Sequence, residues 1–467
     1  MLFCFVPVHP AGAGTSCVSS SKVTVSTLGD LPKKKTIQPG IIALSVKNNQ
    51  LFINGLNTHV TQVQMTPDTG SLEIDGQLYS NVLIQVDNGQ CCVSGERQSA
   101  SSDEILENFK KEHTYCVRVL LDEKNKKGDV DWCISCPDGF VIKDPSRAKN
   151  IFVHESDLVI NSTDASIIIN GKKYMHAQVC IAPQKGHIYF NNQEYAGTFS
   201  SILYKNQRLL VNTLGLEDYV CSVLSSESWP GWPLEVNKVF AIASRSYVLA
   251  MVIRSQASKL PYHIKNTKVH QTYEGTHTNE MLKTAVDETR GVFLSYDNKP
   301  ILAMFDSCCG GVITANIADF DFEKAPYLAR NYPCVYCKPC SIYQWETEYS
   351  LRDLTQRIGA PFSAKNKIKQ IKIVKKDDAG LVSKINVKSG KNSVNLTGKK
   401  LYSLLSGVKS FCFTVVKKEN SVVFKGRGYG HHIGLCQWGA REMVRAGKTY
   451  KEILKFYYPG TVFSHLT

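Results

Sequence analysis

Apolar and polar residues alternate along much of the chain up to residue 213, and from Leu214 the alternation gives way to helical spacing. Period-two alternation between glycine turns is the pattern of half-buried hairpin strands. The stretch "LFINGLNTHVTQVQMTPDTGSLEIDGQLYS" (Leu51 to Ser80) aligns without a gap on "IIINGKKYMHAQVCIAPQKGHIYFNNQEYA" (Ile167 to Ala196). Asn54/Asn170, Gly55/Gly171, Pro67/Pro183, Gly70/Gly186 and Tyr79/Tyr195 recur at a constant separation of 116. The repeat predicts a duplicated small β module. A serine-rich polar joint from Ser94 to Glu112 separates the copies, and "YCVRVLL" predicts the strand that opens the second.

In "LGLEDYVCSVLSSE", Leu216, Tyr219, Val220, Val223 and Leu224 fall at i, i+3, i+4, i+7 and i+8, which predicts one buried helix face. The next stripe position is Glu227. After Pro230 and Pro233 a longer helix is expected from about Leu234 to Arg254, burying Val236, Val239, Phe240, Ala243, Tyr247 and Ala250. Lys238 and Arg245, seven apart, share its opposite face. Strand-like, turn-rich segments follow from Ile301, and a final helix is expected from about Gln437 to Ala446. Strands and helices that are segregated in this way indicate an α+β fold. The expected organisation is a leader or disordered segment over 1–36, a β-rich module over 37–100, a second over 101–213, and a core over 214–467.

Composition narrows this further. With 467 residues, 43% hydrophobic and 21% charged, the chain can bury large cores. Its formal charge of +14 is concentrated: Lys365 to Lys425 holds 15 lysines against Asp377, Asp378 and Glu419. Such a face either attracts polyanions or is a solvated sheet face. The segment reads as alternating strands with little aromatic interleaving, so nucleic acid is not an expected partner. No run of 18 or more apolar residues exists to suggest a spanning helix. The start "MLFCFVPVHPAGAGTSC" has a short apolar run and small residues but no positive region, and reads as a signal remnant or a disordered start.

Three constellations could carry chemistry. Glu227, ending an apolar stripe in "SSESWPGWP", is partly desolvated if the helix packs as the stripe requires. Its pKa would then rise, and it could donate a proton near neutral pH; the plain alternative is a helix-end glutamate turned to water. Trp229 and Trp232 could stack on sugar rings or pack the junction. Lys238 and Arg245 could hold an anion beside Glu227 or be ordinary helix charges. "GRGYGHHIGLCQWGA" (Gly426 to Ala440) lacks the features of a phosphate loop and reads either as a glycine-built wall presenting His431 and Gln437 at a site or as a structural turn with a buried histidine. Lastly, "DSCCGG" and "CVYCKPC" place Cys309, Cys334 and Cys337 at the spacing of a structural zinc site, with a fourth ligand among Cys308, Cys340 and a histidine. Disulfides and free thiols are also compatible with that spacing. Cys133 and Cys136 of "WCISC" have no partner pair and read as structural.

Together these residues resemble the SpoIID/LytB family of bacterial cell-wall proteins. "LEDYVCSVLSSESWPGWPLEVNKVFAIASRSYVLA" is similar to the family's signature stretch, and "QTYEG", "DSCCGG", "APYL" and "GRGYGHHIGLCQWGA" match further motifs in order. The resemblance covers roughly Tyr115 to the C-terminus and is strong from Leu214 to Thr461. It implies an α+β catalytic core in which Glu227 is the catalytic glutamate. Lys238, Arg245 and Tyr247 would belong to a cleft helix, and Ser307, His431 and Gln437 to other cleft motifs. Two positions depart from the pattern: His432 stands where glycine is usual, and Tyr402 in "LYSLL" where arginine is common. The zinc ligands of some members, a histidine and two cysteines before the "QxY" motif, are missing; "YHIKNTKVHQTY" offers only His263 and His270.

The resemblance implies a lytic transglycosylase cleaving the bond between muramic acid and glucosamine in peptidoglycan glycan strands, in the cell envelope, periplasmic or exported. One carboxyl group suffices for that reaction because the attacking hydroxyl belongs to the sugar, whereas ordinary glycosidases use two. The rival expectation is a non-catalytic glycan-binding module that stimulates an amidase. An amidase or division proteins are the implied protein partners; the one cofactor expected, a structural zinc ion, comes from the cysteine spacing and not from the resemblance, and would use the later cysteine cluster.

Overall fold

The computed structural model describes the strands lying between residues 6 and 97, and residues 115–466 apart from 126–131, 146–149, 163–165, 206, 230 and 268–269. The chain divides into two compact units, Met1–Ile105 and Leu106–Thr467.

The first unit is an eleven-stranded sheet with Gln62–Pro67 and Gln77–Asp87 near its middle. Its strands include Thr15–Ser19 and Val23–Thr27, which fall within residues 1–36, the expected leader or disordered segment. "VTVST" alternates apolar and polar positions and pairs with Gln62–Pro67, Val25 opposite Met65. Ser94–Arg97 of the expected joint belong to the strand Gln90–Arg97, while residues 1–5 and the rest of the joint, 98–112, lie outside the described residues.

The hairpins on which the repeat was read share a register. Phe52 faces Asn57 in one, and Ile168 faces Lys173 in the other, the same pairing at the spacing of 116. The surrounding sheets differ. The second hairpin belongs to a six-stranded sheet, while Gln178–Pro183, the counterpart of Gln62–Pro67, lies in a separate seven-stranded sheet.

The second unit begins with Cys116–Asn125, the strand expected from "YCVRVLL", which pairs antiparallel with Gln207–Gly215. Helix α1 (Leu216–Glu227) follows that strand directly and buries Leu216, Tyr219, Val220, Val223 and Leu224. Helix α2 (Leu234–Ala257) runs through the middle of the unit, against α1, α3 (Glu280–Asp287) and the strand Val292–Tyr296. The one-sided burial expected of α2 is corrected. Arg245 is fully buried, as are residues around most of the helix, whereas Tyr247 and Ala250 of the expected face are only half-buried. Mean hydropathy of 1.4 makes α2 apolar enough to cross a membrane by composition, but 72% of that window is buried in the protein, as in a core helix.

A single apolar core extends from Val117 to Leu466, so residue 213/214 marks a change of element type within one core. A second, smaller core around Leu354, Ile385, Val387, Leu401 and Phe424 carries the lysine-rich strands and helices α4 (Leu351–Ile358) and α5 (Gly398–Leu404). Helix α6 (Gln437–Arg445) matches expectation, but the chain does not end its helices there. Helix α7 (Tyr450–Tyr457) follows, started by a capping box in which Thr449 and Glu452 bond each other's backbone.

Candidate functional site

Glu227 closes α1, where the helix stops because Ser228 turns to an extended conformation ahead of the prolines. The carboxylate is half-buried, and its Oε1 accepts from the Thr272 backbone N–H at 3.2 Å. The glutamate's backbone carbonyl accepts from Gln437 Nε2 at 3.0 Å. Burial raises its pKa above the ordinary carboxylate value, helped by the charge of Glu274 and opposed by the Thr272 hydrogen bonds. Position at the negative end of a helix dipole works in the same direction.

Thr272 belongs to "QTYEG", which is clamped from both sides. Gln271 accepts from the buried Tyr219 hydroxyl at 2.9 Å, and Tyr273 donates to Asn212 at 2.6 Å. Gly275 sits at φ +76°, and any Cβ there would strike the Glu194 carbonyl oxygen. The group that orients Glu227 is thus fixed to α1 and to the sheet.

Glu227 opens onto a pocket of about 510 Å³ lined also by Tyr247, His270, Asp306, Ser307, Tyr402, His431 and Gln437. Four of the expected residues, Tyr247, Ser307, His431 and Gln437, therefore meet Glu227 here. Burial pushes the His431 pKa down to about 4, so its imidazole is neutral at pH 7, and its Nδ1 accepts from the Ile433 N–H at 3.0 Å. Asp306 was not singled out from the sequence, although it opens "DSCCGG". It is buried, its Oδ2 accepts from the His432 N–H at 2.6 Å, and burial holds its pKa well above the ordinary aspartate value.

Lys238 and Arg245 are not among the residues lining the pocket. Arg245 reaches Glu217 through Nε at 3.0 Å and Nη2 at 2.5 Å, and donates Nη1 to the Val292 carbonyl at 2.8 Å. Lys238 is paired with Glu235 at 2.9 Å and Glu288 at 2.7 Å. Both cations are spent on holding α2 to its neighbours, which corrects their expected place beside Glu227. The tryptophans also fall outside the pocket lining. Trp229 and Trp232 stack on each other at 6.2 Å, and Trp438 packs edge-on against both. This cluster, with Arg441 over the Trp438 ring at 4.8 Å, fills the junction between α1, α2 and α6.

The cysteines converge as well. Cys309, Cys334 and Cys337 meet, but the fourth sulfur beside them is Cys436, in place of the expected Cys308, Cys340 or histidine. Cys308 lies beside the group, 3.6 Å from Cys340 and in interaction with Cys337 and Cys436. Cys436 lies within "GRGYGHHIGLCQWGA", and only the parallel pairing of Phe305–Asp306 with Leu435–Cys436 brings it to Cys309. Its sole sequence signal was being a further cysteine inside a motif already noted.

The SpoIID family model, described as Stage II sporulation protein, matches residues 204–296, which hold Glu227 and Thr272. An uncharacterized protein of Brachyspira hyodysenteriae is 32% identical over 341 residues, covering 70% of this chain and 89% of that protein. The chain belongs to the SpoIID family. Stage II sporulation protein D of Bacillus subtilis is 27% identical over 283 residues, covering 58% of this chain and 80% of the relative. The Amidase enhancer of the same organism is 29% identical over 290 residues, of which the chain covers only 40% of the relative's length. A domain of unknown function, DUF8618, matches 335–434, the region of the lysine-rich strands.

The departures from the SpoIID pattern acquire physical reasons. His432 occupies φ +68°, the region glycine favours. Its ring repays that strain by bonding the Cys309 carbonyl at 2.9 Å through Nδ1 and accepting the Phe411 N–H at 3.3 Å. Tyr402, where the resemblance led to an expectation of arginine, lines the pocket and packs on Phe411 at 5.1 Å, presenting a phenol there. His263 is buried, bonded to the Arg118 backbone and pushed down to a pKa of about 3 by burial, a core histidine.

Proposed function

We propose that this SpoIID protein is a peptidoglycan lytic transglycosylase acting on the bond between N-acetylmuramic acid and N-acetylglucosamine. The observation that carries this reading is Glu227: a desolvated carboxyl at a helix end, oriented by Thr272 and opening onto a pocket of about 510 Å³. Protonated Glu227 gives its proton to the glycosidic oxygen as the bond from that oxygen to the muramic acid C1 breaks, leaving an oxocarbenium-like sugar. The carboxylate so formed takes the proton of the same sugar's C6 hydroxyl, whose oxygen bonds C1 and closes the 1,6-anhydro ring. Proton donation and removal by one group leave the enzyme as it began, and no water is consumed.

The rest of the pocket suits a neutral sugar under attack. Burial keeps the His431 imidazole uncharged and raises the Asp306 pKa above the ordinary aspartate value. Hydroxyl and amide groups of Ser307, Tyr247 and Gln437 supply dipoles of the kind that steady developing charge. The surface charge of +14 suits an anionic wall polymer, and an exported or periplasmic location follows from such a substrate.

Digestion of purified peptidoglycan, followed by mass spectrometry, tests the reading. Anhydro-muramic ends should appear with the wild-type chain and vanish with Glu227→Gln, while pulled-down glycan stays constant. A digest without anhydro ends, combined with increased product release by an added amidase, would instead support the enhancer reading that one relative's name suggests.

A further inference from the structure

Four cysteines from three separated segments converge in the core behind the pocket wall. The Sγ atoms of Cys309, Cys334, Cys337 and Cys436 all lie within 4.8 Å of one another, and every one of these residues is buried. The geometry points to a closed four-thiolate zinc site that holds the Ser307 and Gln437 wall of the pocket in place.

The distances discriminate between the possible states of four thiols. Zinc bound at about 2.3 Å by four sulfurs in a tetrahedron sets each sulfur roughly 3.8 Å from the other three. Cys309 and Cys337 stand 3.8 Å apart. Disulfides would need two pairs at about 2.05 Å, an arrangement that singles out partners instead of placing four sulfurs in mutual reach. A [2Fe–2S] or [4Fe–4S] cluster places inorganic sulfide and several irons between its cysteines and so spreads the four cysteine sulfurs further apart than a single ion does.

The surroundings are those of sulfurs that carry charge. Cys436 accepts from the Cys309 N–H at 3.2 Å and from the Gly439 N–H, in the first turn of α6, at 3.3 Å. The Tyr457 hydroxyl lies 3.1 Å from Cys334 Sγ. A Cβ on Gly439 would strike that hydroxyl and come within 2.8 Å of Cys334 Sγ, so glycine is what admits the helix end to the sulfurs. Thiolates in a dry core need a cation, and outer donors of this kind are what fix metal-bound sulfurs. Arg330 is buried over the Tyr457 ring at 5.8 Å and donates to the Val312 and Tyr332 carbonyls, and its charge offsets part of the negative charge of a four-thiolate zinc. Four protein ligands leave no open position, so the ion is structural and takes no part in chemistry.

The consequence for the pocket follows from connectivity. Cys309 lies two residues after Ser307, Cys436 immediately precedes Gln437, and the short strands that lead into Ser307 and Gln437, Phe305–Asp306 and Leu435–Cys436, pair side by side. Chelation ties both to the loop holding Cys334 and Cys337, and so sets the wall facing Glu227.

The test is native mass spectrometry and elemental analysis of the full chain, purified reduced and without chelator, with cobalt titration of chain stripped of metal. One zinc per chain is expected, and cobalt should give thiolate charge-transfer bands together with the intense visible bands of a tetrahedral site. Cys334→Ser and Cys436→Ser should abolish the stoichiometric metal, Cys340→Ser should retain it, and Tyr457→Phe should weaken zinc binding about 10–100-fold. A metal-free chain showing no cobalt bands, or a mass reduced by the four hydrogens of two disulfides, overturns the site. Metal lost in Cys340→Ser and kept in Cys436→Ser overturns the ligand set. The wild-type cobalt spectrum decides the matter even if a serine variant does not fold.

Discussion

Replacing Arg245 by methionine separates a supporting role for this residue from a role in the pocket. The guanidinium makes two bonds to Glu217, at 3.0 and 2.5 Å, and one to the Val292 carbonyl at 2.8 Å, with no exposure to solvent. Removing it strands the largely buried Glu217 carboxylate and an acceptor. Breaking one side of a buried pair costs about 3–5 kcal/mol. With a urea slope of about 3 kcal/mol/M, suited to a unit of this size, the unfolding midpoint should fall by about 1–2 M. Replacing Glu217 by leucine in the same chain removes the stranded charge, so the double variant should recover much of the loss, with a coupling of about 2 kcal/mol or more. Circular dichroism in urea measures all four chains. In the folded range, glycan cleavage by the double variant should persist. An unchanged midpoint for Arg245→Met, accompanied by lost cleavage and unaltered by the Glu217 change, would refute the reasoning and return Arg245 to the pocket.

Other expectations follow from the same geometry. Glu227→Gln should lower the rate of anhydro-product formation by about 10²–10⁴-fold, the usual worth of a positioned acid–base group, measured by timed muropeptide digests. Because burial raises the Glu227 pKa, its proton is held more tightly in the folded state. The stability this lends is complete below the unfolded value and is lost as pH rises through the folded one. Cleavage should therefore decline on that same rise, and Glu227→Gln should be at least as stable as wild type at neutral pH, which a pH series of rates and melting curves checks. Trp232→Ala, which empties a packed site, should destabilise by about 3–5 kcal/mol, while the exposed Trp229→Ala should leave cleavage within about twofold; a large loss of glycan affinity in the latter would restore a sugar-stacking role. Gly275→Ala should displace Thr272 and reduce cleavage without altering the mass of the product, since the added Cβ meets the Glu194 carbonyl.

Glu227 was legible as an anomaly, a carboxylate in an apolar stripe, and the motif order pointed to the segments that surround it. The pocket residues Tyr247, Ser307, His431 and Gln437 came from those motifs. Asp306 escaped notice because a single aspartate next to two cysteines has no periodic signature, and its burial depends on a partner strand far along the chain. Lys238 and Arg245 misled because helix spacing tells which residues share a face, but not what that face meets. Glu217, Glu235 and Glu288 approach from the first turn of α1, the first turn of α2 and the end of α3.

Local pattern alone determined the strand texture up to residue 213, helices α1, α2 and α6, and the breaks at the prolines, because backbone periodicity is a property of neighbouring residues; α3, α4, α5 and α7 were not legible in it. Tertiary structure decided which charges are consumed in ion pairs, which tryptophans pack a junction, and which cysteine completes the group of four. Those outcomes depend on desolvation and on distances of a few ångströms between segments remote in sequence, and no spacing along a single chain encodes them.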